Sequence, residues 1–287
     1  MTHIVRATDL GEGWVKTLRT VYDLGGAAVN VITSIDAPTL QEDACLREVL
    51  DRTHQGQVQR TSKIYSVDTV AGTIFPRALY SPPPGRWSPD NREPYEQAAQ
   101  RLYERYLRNY STFQRIAPAS NGRGIYFGRL VDWELPDGGR INQLDLRIRH
   151  LRYAREHNAT QWNLNDLVLA ETTGPETAGA PDGLQMYRPT DHPGVLSRGF
   201  PCLAHVDVSV YQSKLHLTAV YRHQALITKG YGNLLGLAGL QHFMAQQTGY
   251  GVGELCMVGG FSDAELKTPW SKTEARQILE EAEAALR

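Results

Sequence analysis

Residues 203–210 alternate without a break, with Ala204, Val206, Val208 and Val210 on one face and His205, Asp207 and Ser209 on the other. A repeat of two belongs to a strand with one face covered and one face wet. Gln212-Ser-Lys then supplies a turn and residues 215–222 a returning strand, so the spacing predicts a hairpin. A hairpin apolar on one face needs a covering layer. The segment 232–247 can supply it, being apolar on nearly every side up to Gly249, the mark of a helix sunk in a core. Further helices are expected over 13–24, stopped by Gly25-Gly26, over 39–50 behind a Thr39/Glu42 capping box, over 93–110 and 141–156, and after a Ser271/Glu274 capping box. Strands are expected over 28–33, 67–75, 124–133 and 255–258. There is no internal repeat. Hairpins mixed with scattered helices predict an α+β fold rather than a regular βα alternation. The segment 172–193, dense in Thr, Gly, Pro and Asp, reads as a loop inserted into a single domain spanning 1–287.

Charge and cysteine content narrow the function. Thirty basic against 31 acidic side chains leave a net charge of −1, which argues against a polymeric nucleic acid or a polybasic membrane surface as partner. The N-terminal residues lack a basic-then-apolar leader pattern, and no run of about 18 apolar residues occurs, so no membrane span is expected. Cys45, Cys202 and Cys256 are widely spaced, with no CxxC, which excludes a disulfide framework and the usual zinc spacings; no metal is expected. Free thiols suit a reducing, cytoplasmic setting.

Several motifs invite a function. Gly230-Tyr-Gly-Asn-Leu-Leu-Gly opens a helix, but its GxGxxxG spacing is one residue too long for a dinucleotide fingerprint, and glycines at the entry of a buried helix account for it better. Phe200-Pro-Cys sets a thiol at a strand start, Arg222 ends the partner strand, and Asn233 follows Gly232 at the next helix. Thiol, guanidinium and carboxamide make a nucleophile, an anion ligand and a two-sided hydrogen-bonding group. A core cysteine, a surface arginine and a capping asparagine would equally explain the three.

The stretch from Phe200-Pro-Cys through Tyr221-Arg222 and Gly232-Asn233 to His242-Phe-Met-Ala-Gln-Gln-Thr-Gly and Val252-Gly-Glu-Leu resembles the catalytic half of the thymidylate synthase family, which includes the pyrimidine nucleotide hydroxymethylases. Earlier pieces follow in order. Asp51-Arg-Thr-His-Gln-Gly resembles the family's DRTGTG phosphate loop, residues 126–133 its tyrosine-containing strand, and Pro136-Asp-Gly with Ile141-Asn-Gln its PDG…IDQI. The resemblance implies a bent mixed sheet with flanking helices, dimerising through the sheet. It implies that Cys202 adds to pyrimidine C6, that Arg222 and Arg52 hold the substrate phosphate, and that Asn233 pairs with a uracil edge, where cytosine-specific relatives have Asp. Tyr126 falls among the pocket residues as a catalytic candidate. The essential glutamate falls in the 93–110 helix, with Glu96 the candidate.

Departures from the family pattern are numerous. Leu203 replaces the histidine after the cysteine, Asp207 a glutamine, and His223 a phosphate-binding serine; Ala225 replaces an aspartate near the pterin and Lys229 a glycine that admits the folate. Asp263 and Glu265 stand where the ribose-binding His and Tyr are usual, and offer acceptors for sugar hydroxyls. The resulting expectation is a homodimeric methyl- or hydroxymethyltransferase acting at C5 of a uracil-type nucleotide, with 5,10-methylenetetrahydrofolate as donor. Two rivals remain: a folate-independent enzyme using the same cysteine addition, on a modified nucleotide or another heterocycle, and a non-catalytic nucleotide-binding relative.

Overall fold

A computed structural model describes residues 1–58, 64–116, 125–135, 137–158, 161–163, 183–187, 201–267 and 269–287. The chain forms two compact units, one built from Met1–Ile74, Thr218–Gly239 and Glu254–Arg287, the other from Phe75–Leu217 and Leu240–Gly253.

The first unit opens with β1 (His3–Ala7), α1 (Leu10–Asp23) and β2 (Ala27–Ile35). The strands are parallel, Val5 opposite Thr33, with α1 as the crossover. Asp9 caps α1 by accepting from the Glu12 N–H at 2.9 Å, and the helix buries Trp14, Leu18 and Val21. β10 (Gly251–Asp263) lies antiparallel to β2, from Leu255 opposite Ile35 to Asp263 opposite Ala27. The short β9 (Gln224–Ala225) runs parallel to β10, Asp263 beside Ala225, and β10 also neighbours β8 (Lys214–Tyr221). Parallel and antiparallel pairs therefore mix in one sheet, as expected of the α+β class.

Helices α2 (Ala44–Val58), α3 (Val67–Ile74) and the last helix of the chain, α8 (Lys272–Ala285), belong to the same unit; between them in sequence come α4 to α7, introduced below. Three expectations are corrected here. Helix α2 starts at Ala44, where Asp43 accepts from the Leu46 N–H, not at a Thr39/Glu42 box. It continues through 51–58, so the segment that resembles a phosphate loop is helical. Residues 67–74 form a helix instead of a strand, because Val67, Val70, Ala71 and Ile74 are buried at spacings of three and four.

The long apolar helix, α7 (Tyr231–Thr248), follows a π-helical turn at Leu226–Gly230. The glycines of the GxGxxxG stretch act by close packing. A Cβ on Gly232 would lie 2.7 Å from Val70, and one on Gly236 2.7 Å from the Ala71 carbonyl oxygen. Trp14 supports the same turn by donating its indole N–H to the Leu226 carbonyl at 2.8 Å.

The second unit contains α4 (Arg92–Ile116), α5 (Tyr126–Val131), the β3–β4 pair (Trp133–Glu134, Arg140–Ile141) and α6 (Gln143–Glu156). β5 (Gln161–Asn163) and β6 (Leu184–Gln185) both lie antiparallel to β7 (Leu203–Tyr211). The turn from β7 to β8 puts Gln212 and Ser213 at φ +50 and +58, the left-handed pair that matches hairpin twist. Gln241 of α7, wholly buried, donates to the carbonyls of Leu215 and Gly253 and so clasps the backbones of β8 and β10. An aromatic cluster of Phe75, Tyr80, Phe127 and Phe243 fills the core, Tyr80 meeting Phe243 edge-on at 4.8 Å. Most of the 172–193 insertion lies outside the described residues. Among those described, no helix is long and apolar enough to cross a membrane.

Two glycine substitutions should move stability in opposite directions. Nothing lies within 4 Å of a Cβ on Gly72 in α3, so Gly72→Ala should raise stability by about 0.4–1 kcal/mol through the unfolded chain. Gly236→Ala should lower it by about 1–3 kcal/mol by forcing helices apart. Chemical denaturation of both variants checks the pair of signs.

Candidate functional site

The candidate residues fall into two clusters, one in each unit. In the second unit, Cys202 is half-buried just before β7. Its backbone N–H and that of Leu203 both donate to the hydroxyl of Tyr126, at 3.0 and 3.2 Å. Tyr126 is presented by α5, where a strand was expected. Phe127, Leu130 and Val131 are buried there, a helical spacing that overrides the strand reading.

The Tyr126 hydroxyl uses its lone pairs on those two N–H groups, and its proton remains for a third partner. Burial pushes its pKa up to about 12, and the neighbouring Cys202 adds to the rise; the two N–H groups and Arg129 oppose it. The phenol therefore keeps its proton at neutral pH. The backbone at Cys202 is thus held against a hydroxyl that keeps its proton.

Arg129 was not singled out in the sequence. It lies three residues after Tyr126 on the same helix, 1% exposed, and donates to the Met186 carbonyl at 2.6 Å. Its own carbonyl accepts from Gln143, whose side chain also brackets Gln185: the carboxamide donates to the Gln185 carbonyl at 2.8 Å and accepts from its N–H at 2.9 Å. Met186 N–H in turn donates to the Ala204 carbonyl. The network ties α5, β6 and β7 together and sets Tyr126 against Cys202. A Tyr-x-x-Arg pair at helical spacing is the one signal that could have marked Arg129, and it was hidden by the strand reading.

Glu96 pairs with Arg152 at 3.1 Å and Arg92 at 3.2 Å, and among the described residues no contact joins it to Cys202 or Tyr126. Asp207 stands two residues from His205 on β7, and its charge offsets part of the burial that lowers the imidazole's pKa.

In the first unit, Arg222 is exposed at the end of β8 and His223 stacks on Phe261, ring centroids 5.4 Å apart and planes 14° apart. Burial holds the His223 imidazole below its usual pKa; Asp263 pulls the other way, and Arg222 and Lys229 reinforce the depression. Arg222, His223, Lys229 and Asp263 are thus electrostatic neighbours. Asp263 accepts from the Glu265 N–H at 2.7 Å. Glu265, in the left-handed region at φ +58, receives both the N–H and the hydroxyl of Thr228, each at 2.8 Å. That clamp ties the π-helical turn to the end of β10 and engages both carboxylate oxygens internally. Burial raises the Glu265 pKa, against the pull of those donors. Asn233 lies in the first turn of α7, 6% exposed. Arg52 projects from α2 and pairs with Glu281 of α8.

No family model and no curated protein matches the chain. Among solved structures it is similar to the thermostable thymidylate synthase A from Bacillus subtilis, at 12% identity over 95% of this chain and 84% of that one, with a TM-score of 0.47.

Removing the Tyr126 hydroxyl should leave two backbone donors unpaired. Tyr126→Phe is expected to cost about 1–3 kcal/mol of stability. Hydrogen exchange of the Cys202 and Leu203 amides should accelerate above the rate that this global loss accounts for, read by mass spectrometry on the 201–206 peptide.

Proposed function

We propose that the chain is a cysteine-nucleophile enzyme that activates carbon 5 of a uracil-type pyrimidine nucleotide, in the manner of the methyl- and hydroxymethyltransferases that its sequence resembles. The observation that carries this reading is the Tyr126 hydroxyl receiving the N–H groups of both Cys202 and Leu203, which fixes a half-buried thiol beside a phenol that keeps its proton. In the proposed reaction the Cys202 thiol gives its proton to solvent, its sulfur bonds to C6, and the C5–C6 π pair moves toward C5 and O4. C5 then takes an electrophile, and loss of the C5 proton with cleavage of the S–C6 bond restores the ring. In this reading Arg222 takes the phosphate and Asn233 the uracil edge, as the resemblance implies.

Methylenetetrahydrofolate, when bound, would supply the one-carbon electrophile for C5. The described residues do not fit it in the way the resemblance requires. Ala225, half-buried on β9, offers a methyl group where an acceptor is needed, and Lys229 sets a half-buried ammonium where a glycine opens the way. That mismatch supports a second reading, in which a proton is the electrophile and the enzyme exchanges or prepares C5 without folate.

Release of tritium from 5-tritiated dUMP and UMP distinguishes the readings. Wild-type protein should release tritium, Cys202→Ala should abolish release, and Tyr126→Phe should slow it by about 10²–10⁴-fold. Dependence on added methylenetetrahydrofolate selects the transferase, and release without it selects exchange. Release undiminished in Cys202→Ala overturns both.

The reading includes a homodimer formed through the sheet. Ile4, Ile32 and Val258 stand in one row across β1, β2 and β10, none of them buried, and Ile4 is 64% exposed. Such a row on a sheet face is suited to a second copy. Sedimentation should give a dimer for the wild type and a folded monomer for Val258→Arg.

A further inference from the structure

We propose that the second unit carries another ligand site, sharing no residue with the Cys202 cluster, for a small planar carboxylate. The site is a cavity of about 290 Å³ between the segment 82–87, the first turns of α4 and the C-terminal end of α7. That volume sits at the small end of ligand pockets, which start at about 300 Å³, and suits one ring bearing one charged group.

Its walls are preformed. Asn91 accepts from the Ser88 N–H at 2.6 Å and donates to the Arg86 carbonyl at 2.7 Å, which pins the loop carrying Arg86 and Trp87. Arg86 donates one guanidinium N–H to the Gly249 carbonyl at 2.8 Å. Gly249 is at φ +71, and a Cβ there would lie 2.9 Å from the Trp87 ring, so only glycine lets the indole lie on this backbone. Trp87, Tyr95 and Tyr250 line the cavity with aromatic surface.

Two features point to an anionic occupant. Trp87 and Tyr95 are 4% and 3% exposed, and among the described residues the indole N–H of one and the hydroxyl of the other have no hydrogen-bond partner. Both residues line the cavity, and a buried donor left unpaired costs about 1–3 kcal/mol, so an acceptor brought to this wall is favoured. The lining also holds the Arg86 guanidinium and the His242 imidazole but no carboxylate. Outside the lining, the Arg155 guanidinium lies 5.2 Å from the centre of the Tyr250 ring. Aromatic walls, unpaired donors and positive charge together select a flat anion: the ring stacks among Trp87, Tyr95 and Tyr250, and the carboxylate meets Arg86.

Benzoate is the probe, with benzyl alcohol as its uncharged counterpart, and the readout is the set of tryptophan indole N–H signals of the full chain by NMR. Trp87→Phe identifies the Trp87 signal. Benzoate should shift that signal saturably at concentrations up to about 10 mM, a range in which weak single-site binding is resolved. Arg86→Gln should weaken binding about tenfold, the worth of one charge-assisted hydrogen bond, while the remaining indole signals report that the variant is folded. Cys202→Ala should bind benzoate as the wild type does, which separates this site from the proposed chemistry. No saturable shift overturns the proposal. So does equal binding of benzyl alcohol, or binding that Arg86→Gln leaves unchanged, since either result describes an apolar hole rather than an anion site.

Discussion

The buried carboxamide of Gln143 is the contact on which the candidate site depends. It is wholly out of water and uses both ends of its amide, donating to the carbonyls of Arg129 and Gln185 and accepting from the Gln185 N–H. An apolar residue there would remove these three hydrogen bonds at once, each worth about 0.5–1.5 kcal/mol. The helix it holds, α5, is six residues long, too short to keep its place by its own backbone bonds. Its orientation is imposed from outside, through Gln143 and through Arg129 reaching Met186. Only then does the Tyr126 hydroxyl meet the N–H groups of Cys202 and Leu203. The nucleophile candidate is thus positioned by a chain of neutral and charged hydrogen bonds.

That dependence explains what could and could not be seen in the sequence. The β7–β8 hairpin was legible because its period of two is set by one covered face, and α7 because burial on all sides leaves a continuous apolar run. The Ser271/Glu274 capping box was legible too, since both of its bonds are made within four residues. The 67–74 and 126–131 segments were misread as strands because Val, Ile, Tyr and Phe carry strand propensity, while their helical state is decided by which side chains the neighbouring elements bury. Short helices of this kind are tertiary structures, and local composition misleads there. The resemblance places Tyr126 only among the pocket residues; its pairing with Cys202, 76 residues away, is beyond the reach of any spacing rule.

The first unit shows a different economy of charge. Asp263 opposes the lowering of the His223 pKa by Arg222 and Lys229, and its carboxylate already accepts from the Glu265 backbone. Glu265 itself is bound to Thr228 through both oxygens. The acidic groups near the end of β10 are therefore largely committed to backbone and hydroxyl donors. Burial of His223 against Phe261 favours the neutral imidazole, which carries no charge to desolvate.

Asp263 and Glu265 also show how a residue's backbone can decide what its side chain is free to do. The resemblance placed both at sugar-binding positions, where their carboxylates would face a ligand. Glu265 sits instead in the left-handed region, a costly conformation for a non-glycine residue, and it persists because two donors from Thr228 hold the side chain and Asp263 holds the N–H. A carboxylate so bound gains little from a sugar hydroxyl, which would have to compete for lone pairs already used. The same clamp fixes the π-helical turn on which Lys229 is carried, immediately after Thr228. Glu265 thus helps to set the backbone from which Lys229 projects.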